Sequence, residues 1–441
     1  MKFSKYNEFF EADGKYYLYN ILSTALAEID NELLIAIKSD NPNILNETLR
    51  NLLKCNHFIV ENDCDEVKEY IYFYDSTRFG RGTRLLNIIF IPTYNCNLSC
   101  PYCMQGLNKR HDIISNKAVE SIIKFVNLQI SESHICGVSI NEINFSLFGG
   151  EPLLAKKNVL PFVCGQIQDI ATKNKCTVNF AMTSNFTLVD DEVIDLIRKY
   201  NIKIQVSIDG TKEQHDLRRI TPQGDGTYDT IVNNLKKMNA AGLKKNIIVR
   251  INIDNDNIDK ADSIMSSITD LADDIYFGYL NNYKGLNDNY TICVERDSYA
   301  DIMNNKLIPV YQKYGKTIPR SFGKMTPCSM HCDNRFIIDL KLNVYKCELL
   351  INKEETKVGI IESDGTFSPN SNFYSQMYFS PDKDKRCINC KLLPLCGGGC
   401  TGKAYVNENN SNNNFDGILC NMKEEDLINY LKQYVCQIKQ H

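Results

Sequence analysis

The order of hydrophobic and polar positions separates residues 1–87 from a longer part with a more regular pattern. In this first part, short apolar segments alternate irregularly with polar ones. They predict a small α+β unit with strands or strand ends at residues 15–20, 58–60 and 70–74 and helices at residues 22–27 and 44–53.

From residue 88 to about residue 310, short apolar strands alternate with amphipathic helices. We predict strands at residues 87–91, 143–148, 177–182, 203–208, 246–251 and 274–279, with helices such as 118–128, 191–200 and 228–240 between them. Repeated strand–helix units predict an α/β fold with a parallel sheet and outer helices. Because parallel strands end at one edge of a sheet, we expect the motifs that follow them to lie together.

The composition is that of an ordinary globular protein, with 43% hydrophobic and 24% charged residues, and the length allows roughly two or three domains. The net charge of −4 gives no reason to expect nucleic acid or an anionic membrane as a partner. The chain starts with polar residues, and no apolar stretch approaches the roughly 18 residues of a membrane span. We therefore expect a cytoplasmic protein.

Cysteine usage indicates metal binding. The chain has 18 cysteines, and eight of them lie between Cys328 and Cys420. Such a number would suggest disulfides in a small secreted protein, but in a large chain without a secretion signal metal ligation is the better explanation.

Three of the cysteines, Cys96, Cys100 and Cys103, lie in the loop after the first strand of the predicted parallel sheet. Their spacing can hold an iron–sulfur cluster, but it supplies three thiolates for four irons. Since a cluster that only carries electrons has four cysteine ligands, one iron is left open to another molecule. A zinc site or a set of free thiols is the alternative, although zinc usually takes a fourth Cys or His nearby.

This loop, with Tyr102 before its third cysteine, resembles the signature of the radical S-adenosylmethionine (SAM) enzymes. The resemblance implies a partial (β/α)6 TIM barrel over residues 88–315. It also implies that SAM chelates the open iron and is reductively split to a 5′-deoxyadenosyl radical.

Motifs after the next strands resemble the SAM-binding positions of that family. Gly149-Gly150-Glu151 is similar to the motif that holds the SAM amino group, although a tight turn explains it as well. For Ser184 and Asn185, helix capping is an alternative to ribose binding. By resemblance the SAM contacts would come from Tyr102, Gly149, Gly150, Glu151, Ser184, Asn185, Ser207 and Arg219. Arg219 suits this task because a guanidinium pairs bidentately with a carboxylate.

The cysteines of residues 316–441 resemble those of the SPASM domain, which carries two auxiliary 4Fe-4S clusters and would bring the total to three. Carried over, one cluster would be held by Cys328, Cys332, Cys347 and Cys400, and the other by Cys387, Cys390, Cys396 and Cys420. Two four-cysteine zinc sites are the alternative. Where the family has a glycine before the Cys347 position, this chain has Leu342, so residues 341–343 must form the hairpin turn without it.

Residues 1–87 resemble the leader-peptide-recognition (RRE-like) domain of peptide-modifying maturases, which binds a peptide strand at a sheet edge. A cap that merely covers the barrel is the alternative. The resemblance as a whole implies maturation of a ribosomally made Cys-rich peptide, commonly by a Cys thioether crosslink, with a flavodoxin or ferredoxin type of electron donor.

Two other functions remain open from the sequence. One is anaerobic sulfatase maturation, in which a Cys or Ser becomes formylglycine; those enzymes carry Asp directly after the equivalent of Cys347, where this chain has Glu348, a candidate base. The other is a non-catalytic iron–sulfur electron carrier, which would not cleave SAM.

Overall fold

The computed structural model describes residues 1–79, 85–105, 112–135, 139–281, 290–295, 298–318, 327–351, 353–407, 420 and 423–438. Across these residues, no helix is both long enough and apolar enough to cross a membrane.

The N-terminal unit combines strands and helices. Its strands are β1 (Lys2–Phe3), β2 (Asn7–Ala12), β3 (Lys15–Asn20), β4 (Leu26–Glu28) and β5 (Ile59–Val60), and its helices are α1 (Asn31–Lys38), α2 (Glu47–Cys55) and α3 (Glu66–Arg78). Strands β2, β3 and β4 form an antiparallel sheet, and β1 pairs with β5. The strands predicted near residues 15–20 and 58–60 are therefore confirmed.

Two predictions in this unit are wrong. The helix predicted at residues 22–27 is absent: residues 22–25 lead by a turn into β4, which begins at Leu26. The Asn20 side chain stabilises the turn by accepting hydrogen bonds from the backbone N–H groups of Leu22 and Ser23, at 3.1 and 2.9 Å. Residues 70–74 lie inside α3 rather than in a strand. There Tyr70 and Tyr74 are buried one helical turn apart while Tyr72 between them is 76% exposed, which is a helical period.

The central sheet contains six consecutive parallel strands. They are β6 (Leu85–Phe90), β7 (Glu142–Leu147), β8 (Thr177–Ser184), β9 (Lys203–Ile208), β10 (Ile247–Ile253) and β11 (Asp274–Tyr279). The helices between them are α4 (Asn116–Ile135), α5 (Val159–Lys173), α6 (Asp191–Tyr200), α7 (Lys212–Arg218), α8 (Tyr228–Ala240) and α9 (Ala261–Ile268). The predicted α/β fold with a mainly parallel sheet is confirmed.

Along these strands, residues that point into the apolar core alternate with residues on the other face of the sheet. Ile204, Val206 and Ile251 are fully buried in the core shared with the helices. The residues between them, such as Gln205 and Arg250, line a cavity on the other side of the sheet. The period of two in the sequence therefore places polar groups on one face of β9 and β10.

The C-terminal part extends the same sheet. Its strands are β12 (Arg335–Ile338), β13 (Asn343–Tyr345), β14 (Gly359–Ile361) and β15 (Phe367–Pro369). Strand β12 lies parallel to β6, and the remaining strands continue the sheet in antiparallel pairs. Residues on both sides of the predicted boundary at 316 thus share one sheet of ten strands.

The remaining helices are short except for the last. They are α10 (Tyr299–Ile302), α11 (Ile308–Lys313), α12 (Ser371–Met377), α13 (Lys385–Ile388), α14 (Leu393–Cys396), α15 (Thr401–Asn407) and α16 (Glu424–Ile438). A π-helical turn, Met303–Leu307, joins α10 to α11. Single 3-10 turns lie at Pro42–Ile44, Pro152–Ala155, Lys244–Asn246, Ile258–Lys260, Ser329–His331, Glu348–Leu350, Glu354–Thr356 and Pro381–Lys383.

The two ends of the chain pack against each other. Tyr6 and Phe10 share an apolar core with Leu395 of α14 and Leu431 of α16. Tyr70 and Tyr74 of α3 share another with Phe379, Cys387 and Leu393. The N-terminal unit is therefore joined to the cysteine-rich C-terminal part by buried contacts.

Candidate functional site

A cavity of about 240 Å³ opens at the carboxyl ends of the parallel strands. We call it the central cavity. Its lining residues are Cys96, Leu98, Cys100, Tyr102, Cys103, Met104, Gln105, Phe148, Gly149, Gly150, Thr183, Ser184, Asn185, Gln205, Ser207, Arg219, Arg250, Asn252, Tyr279, Leu280 and Asn281. The cavity thus brings together the three cysteines of the first motif and seven of the eight residues predicted to contact SAM.

The loop that follows β6 presents the three thiols to this cavity. The Cys96 sulfur accepts hydrogen bonds from the backbone N–H of Leu98 at 3.4 Å and from the Asn185 amide at 3.6 Å. Burial raises the pKa of the Cys100 thiol to about 12. Metal binding at this thiol would therefore be coupled to the loss of its proton.

The three cysteines of the loop are a donor set that fits an iron–sulfur cluster. A cluster of four irons separates its thiolates because each binds a different iron. The three thiols around the central cavity, with N–H donors directed at one of them, match that requirement.

Gly149 and Gly150 are required by contact between two loops. A Cβ atom on Gly150 would lie 2.1 Å from the Asn95 carbonyl oxygen, and one on Gly149 would lie 2.4 Å from that of Thr93. Gly150 N–H donates to the Thr93 carbonyl at 3.0 Å. The glycines therefore hold the loop after β7 against the cysteine loop, in addition to lining the cavity.

Glu151 lies beneath the cavity and is the one predicted SAM contact that does not line it. Its side chain is fully buried. Its carboxylate accepts hydrogen bonds from the Leu153 N–H at 2.9 Å, the Ser184 hydroxyl at 2.9 Å and the Asn185 N–H at 2.7 Å. Burial raises the pKa of Glu151, while these bonds favour its charged form. Glu151 thus fixes the end of β8.

Arg219, in the wall of the central cavity, belongs to a buried network of hydrogen bonds. One of its terminal N–H groups donates to the Tyr102 hydroxyl at 2.8 Å, and that hydroxyl donates to Asp209, whose other oxygen accepts from Asn252 at 2.8 Å. Burial opposes the positive charge, but nearby Tyr102, Cys100 and Asp209 outweigh it and raise the pKa of Arg219. The buried Nε–H of Arg219 has no partner among the described residues, so a donor remains for a bound anion.

His215 lies in α7, which follows β9, and contacts this network through the Asp209 backbone and Thr227. Its Nδ1 accepts from the Asp209 backbone N–H at 3.2 Å, and its Nε2 lies 3.1 Å from the Thr227 hydroxyl, which itself donates to the Arg219 carbonyl. Because Nδ1 accepts, the proton is on Nε2 in the neutral ring. Burial lowers the pKa of His215 to about 4. It is therefore a neutral positioning group.

Several cavity residues escaped the sequence analysis, above all Arg250 and Asn252 on β10 and Gln205 on β9. Arg250 is partly buried, and its Nε–H also has no partner among the described residues. The signal that could have found them is a polar residue at every second position of strands whose other positions are fully apolar.

Glu348, the candidate base, lies away from the central cavity. It forms an ion pair with Arg335 and is not among the lining residues. A base role for Glu348 stays a prediction, and this placement gives it no contact with the cavity.

The C-terminal cysteines separate into two groups in space. Cys347 interacts electrostatically with Cys328 and Cys400, and Cys332 with Cys328. Cys387 interacts with Cys396, Cys420 and Cys390. We call the first set, Cys328, Cys332, Cys347 and Cys400, group A, and the second, Cys387, Cys390, Cys396 and Cys420, group B. This division matches the one that the resemblance implies, while the ligation of clusters stays a prediction.

The hairpin before Cys347 forms without the family's glycine. Leu342 adopts a left-handed conformation with φ 65°. The Asp339 carboxylate accepts from the backbone N–H groups of Lys341 and Asn343 at 2.8 and 2.9 Å and stabilises the turn. The prediction that residues 341–343 make this turn without glycine is confirmed.

Comparison with protein families matches residues 90–267 to the model of the radical SAM superfamily. A cysteine-type anaerobic sulfatase-maturating enzyme of Clostridium novyi is 26% identical over 350 residues, which cover 74% of this chain and 90% of that enzyme. The radical SAM cyclopropyl synthase TigE of Paramaledivibacter caminithermalis is 22% identical over 464 residues, covering 92% of this chain and 91% of TigE.

Solved structures share the fold at low identity. The sulfatase-maturating enzyme anSMEcpe with bound AdoMet superposes with a TM-score of 0.62 and 17% identity, covering 80% of this chain and 94% of that one. Streptococcus suis SuiB bound to precursor peptide SuiA superposes with a TM-score of 0.54 and 12% identity, covering 95% of this chain and 98% of SuiB. At these identities the likeness shows a common fold.

Proposed function

We propose that this chain, whose residues 90–267 match the radical SAM superfamily, is a radical SAM enzyme that modifies a ribosomally made Cys-rich peptide and joins a cysteine sulfur to carbon in a thioether. The observation that carries the radical chemistry is the meeting of three thiols with Gly149, Gly150 and Arg219 around one cavity. The choice of substrate is supported by the N-terminal unit and by the extent of the whole-chain similarities.

Cys96, Cys100 and Cys103 would hold a 4Fe-4S cluster with one open iron. Cluster and SAM together supply a carbon radical that removes a hydrogen atom from an unactivated C–H bond. The protein's share of the reaction is to position both partners and exclude water. The hydrogen bonds that the Cys96 sulfur accepts from Leu98 and Asn185 would set the electronic character of the cluster.

The opposite wall of the cavity would bind SAM. The buried Nε–H of Arg219 has no partner among the described residues, so this residue of the cavity wall would suit an anionic ligand such as a carboxylate. Ser184 and Asn185 are held at the end of β8 by Glu151, and Ser207 lies on the cavity face of β9. These residues would contact the amino-acid and ribose parts of SAM without contributing a proton.

A groove in the N-terminal unit is suited to an extended peptide. It has a volume of about 260 Å³ and lies between β4 and α2. Its lining residues are Ala25, Leu26, Ala27, Glu28, Asp30, Leu33, Leu49, Leu52, Leu53, Asn56 and Phe58. Leu52 is 59% exposed there, so an apolar surface is open to a partner.

The backbone of β4 can accept an additional strand. Among the described residues, β4 pairs with β3 alone. The Ala25 carbonyl accepts from the Asn20 N–H at 2.9 Å, and the Ile29 N–H donates to the Tyr16 carbonyl at 2.8 Å. Ala27 is paired with Leu18 in the same phase. In an antiparallel pair the alternate residues, Leu26 and Glu28, direct their N–H and C=O groups outward. A peptide strand added at this edge would place its side chains over the groove.

The extent of the similarities favours a peptide maturase. TigE and SuiB match 92% and 95% of this chain, against 74% and 80% for the two sulfatase-maturating proteins. SuiB was crystallised with its precursor peptide SuiA. A chain that matches such proteins over nearly its whole length includes the N-terminal unit in the similarity.

The proposed product requires an electron acceptor. Forming a C–S bond from a thiol and a C–H group releases one hydrogen atom, which the SAM-derived radical takes, one proton and one electron. We assign the electron to an auxiliary 4Fe-4S cluster held by group A or group B, eight cysteines being the complement of two clusters. An external flavodoxin or ferredoxin type of donor would supply the electron that starts each turnover.

Sulfatase maturation is the second candidate, because the Clostridium novyi enzyme has the higher identity and anSMEcpe the higher TM-score. The observation that favours this candidate is the similarity of the catalytic part of the chain to those enzymes. It requires no role for the groove between β4 and α2.

The two functions are separated by one anaerobic assay with SAM and dithionite. The reconstituted protein is given peptides from the short reading frames that flank its gene and, in parallel, a synthetic sulfatase-derived cysteine peptide. We expect a flanking Cys-rich peptide to lose two hydrogen atoms in mass and one free thiol. Loss of sulfur from the sulfatase peptide, with the flanking peptides unchanged, would establish the second candidate instead.

A further inference from the structure

Helix α3 carries two buried tyrosine hydroxyls without a hydrogen-bond partner among the described residues. Tyr70 is 1% exposed and Tyr74 is fully buried. An unpaired buried hydroxyl is destabilising, and native proteins rarely leave a buried polar group without a partner. Two of them one helical turn apart indicate acceptors that a bound group supplies.

The surroundings of these hydroxyls identify the group. The phenol of Tyr70 interacts electrostatically with Cys396 and Cys387, which both belong to group B. The phenol of Tyr74 interacts with Cys328 and Cys332, which both belong to group A. Tyr70 is thus coupled electrostatically to group B and Tyr74 to group A, and both rings pack in one core with Cys387 of group B.

Contacts at both sides hold α3 in this position. The Arg78 carbonyl accepts from the Asp333 N–H at 2.9 Å, beside Cys332, and the Arg78 guanidinium donates to the Phe379 carbonyl. The Tyr70 and Tyr74 rings are 5.9 Å apart between centroids. Both hydroxyls are buried, and besides Tyr6, whose hydroxyl also has no partner among the described residues, the groups from distant parts of the chain that act on them are cysteines. Cluster sulfur is therefore a candidate acceptor for each.

We propose that the Tyr70 and Tyr74 hydroxyls donate hydrogen bonds to sulfur atoms of two iron–sulfur clusters, Tyr70 to the one at group B and Tyr74 to the one at group A. The inference rests on the proposed function, because it requires these clusters to be present. It makes α3 of the N-terminal unit a positioning element for both. A hydrogen bond to cluster sulfur stabilises the reduced, more negative state and so raises the reduction potential.

The test is an EPR-monitored redox titration of the full chain in which Cys96, Cys100 and Cys103 are changed to Ala, so that only the C-terminal clusters remain. Tyr70→Phe and Tyr74→Phe remove one hydroxyl each. Tyr72→Phe, on the exposed side of the same helix, is the matched control. We expect Tyr70→Phe to lower one midpoint by about tenfold in the reduction equilibrium constant, about 59 mV for one electron. Tyr74→Phe should lower the other, and Tyr72→Phe neither.

Iron and sulfide analysis distinguishes the two ways of failing. About eight irons per chain in the triple-alanine background, with both midpoints unmoved by Tyr70→Phe and Tyr74→Phe, overturns this inference and leaves the auxiliary clusters standing. Absence of iron, or zinc in its place, overturns both. Should a Phe variant lose its clusters, electron–nuclear double resonance of the parent in D2O gives the answer. An exchangeable deuteron coupled to each cluster supports the proposal, and none overturns it.

Discussion

The terminal and Nε nitrogen atoms of Arg219 differ in their hydrogen bonding. One terminal N–H donates to the Tyr102 hydroxyl, whereas the buried Nε–H has no partner among the described residues. A lysine could keep the charge but supply only a compact ammonium in place of the planar fork. The residue therefore matters for geometry as well as for charge.

We predict that Arg219→Lys weakens SAM binding by roughly ten- to hundredfold, because a hydrogen bond to a charged group contributes about 1.5–3 kcal/mol. Equilibrium dialysis with labelled SAM on iron-loaded protein measures the effect. Arg198→Lys is the control, since Arg198 is exposed and paired with Asp195 on the surface of α6. Equal affinity of the two variants would show that Arg219 does not touch the cofactor.

Single residues also show where prediction from sequence stops. The cysteines and Arg219 were identifiable because their spacing or residue type is rare. A SAM contact of Glu151 stays a prediction, while its carboxylate holds Ser184 and Asn185, a role that depends on how two strands end side by side. Arg250 and Asn252 were missed because a charged or amide side chain in a strand says nothing by itself about which face is a cavity.

At the scale of elements, α7 and β9 are joined by His215, which is buried and neutral. Its pKa falls from 6.5 in the unfolded chain to about 4 in the fold because burial disfavours its charge. The unfolded state then binds more protons between these values, so stability is complete above pH 6.5 and falls as the pH decreases toward 4.

We predict that lowering the pH from 7 to 4 decreases the free energy of unfolding of the wild type by about 3 kcal/mol more than that of the His215→Asn variant. Asn keeps an acceptor for the Asp209 N–H but does not titrate. Urea unfolding of both proteins across this range measures the difference. If the free energy of unfolding of the two proteins changes equally with pH, a group other than His215 causes the loss of stability in acid.

The edge of β4 yields a second prediction at this scale. Glu28→Pro removes an outward N–H without breaking a bond to β3, and Glu28→Ala removes only the side chain with its surface ion pair to Lys15. One lost backbone hydrogen bond corresponds to about two- to tenfold weaker peptide binding. Fluorescence anisotropy with the peptide that the enzyme modifies compares the variants. If Glu28→Pro binds like Glu28→Ala, the peptide lies elsewhere.

The elements also show why the N-terminal unit was harder to predict than the sheet. The parallel strands carry apolar residues at their buried positions and alternate with amphipathic helices, so their pattern can be recognised in the sequence. The segment around Tyr70 and Tyr74 alternates aromatic residues as a strand does, yet Asp65 caps a helix there by accepting from the Lys68 N–H at 3.2 Å. Its burial is decided by cysteine-rich segments more than 300 residues away, to which Arg78 is bonded.

At the scale of the whole molecule, the chain joins a peptide-sized groove, a cavity with three thiols and two further groups of cysteines. The groove belongs to a unit whose last helix packs on one of those cysteines, Cys387. The α/β fold and the resemblance to radical SAM enzymes, which residues 90–267 match, followed from sequence patterns. The continuity of the sheet across residue 316 and the packing of the N-terminal unit on the C-terminal part required the structure, because they depend on contacts between distant segments.

The most direct test of the central claim asks whether Cys96, Cys100 and Cys103 hold an iron to which SAM binds and is cleaved. Iron-loaded wild type and the triple Cys→Ala variant are incubated anaerobically with SAM and dithionite, and 5′-deoxyadenosine is quantified. We predict release by the wild type and none by the variant, which keeps the iron of its C-terminal cysteines. Fully loaded wild type that releases no 5′-deoxyadenosine, or a variant that releases as much as the wild type, would contradict the account.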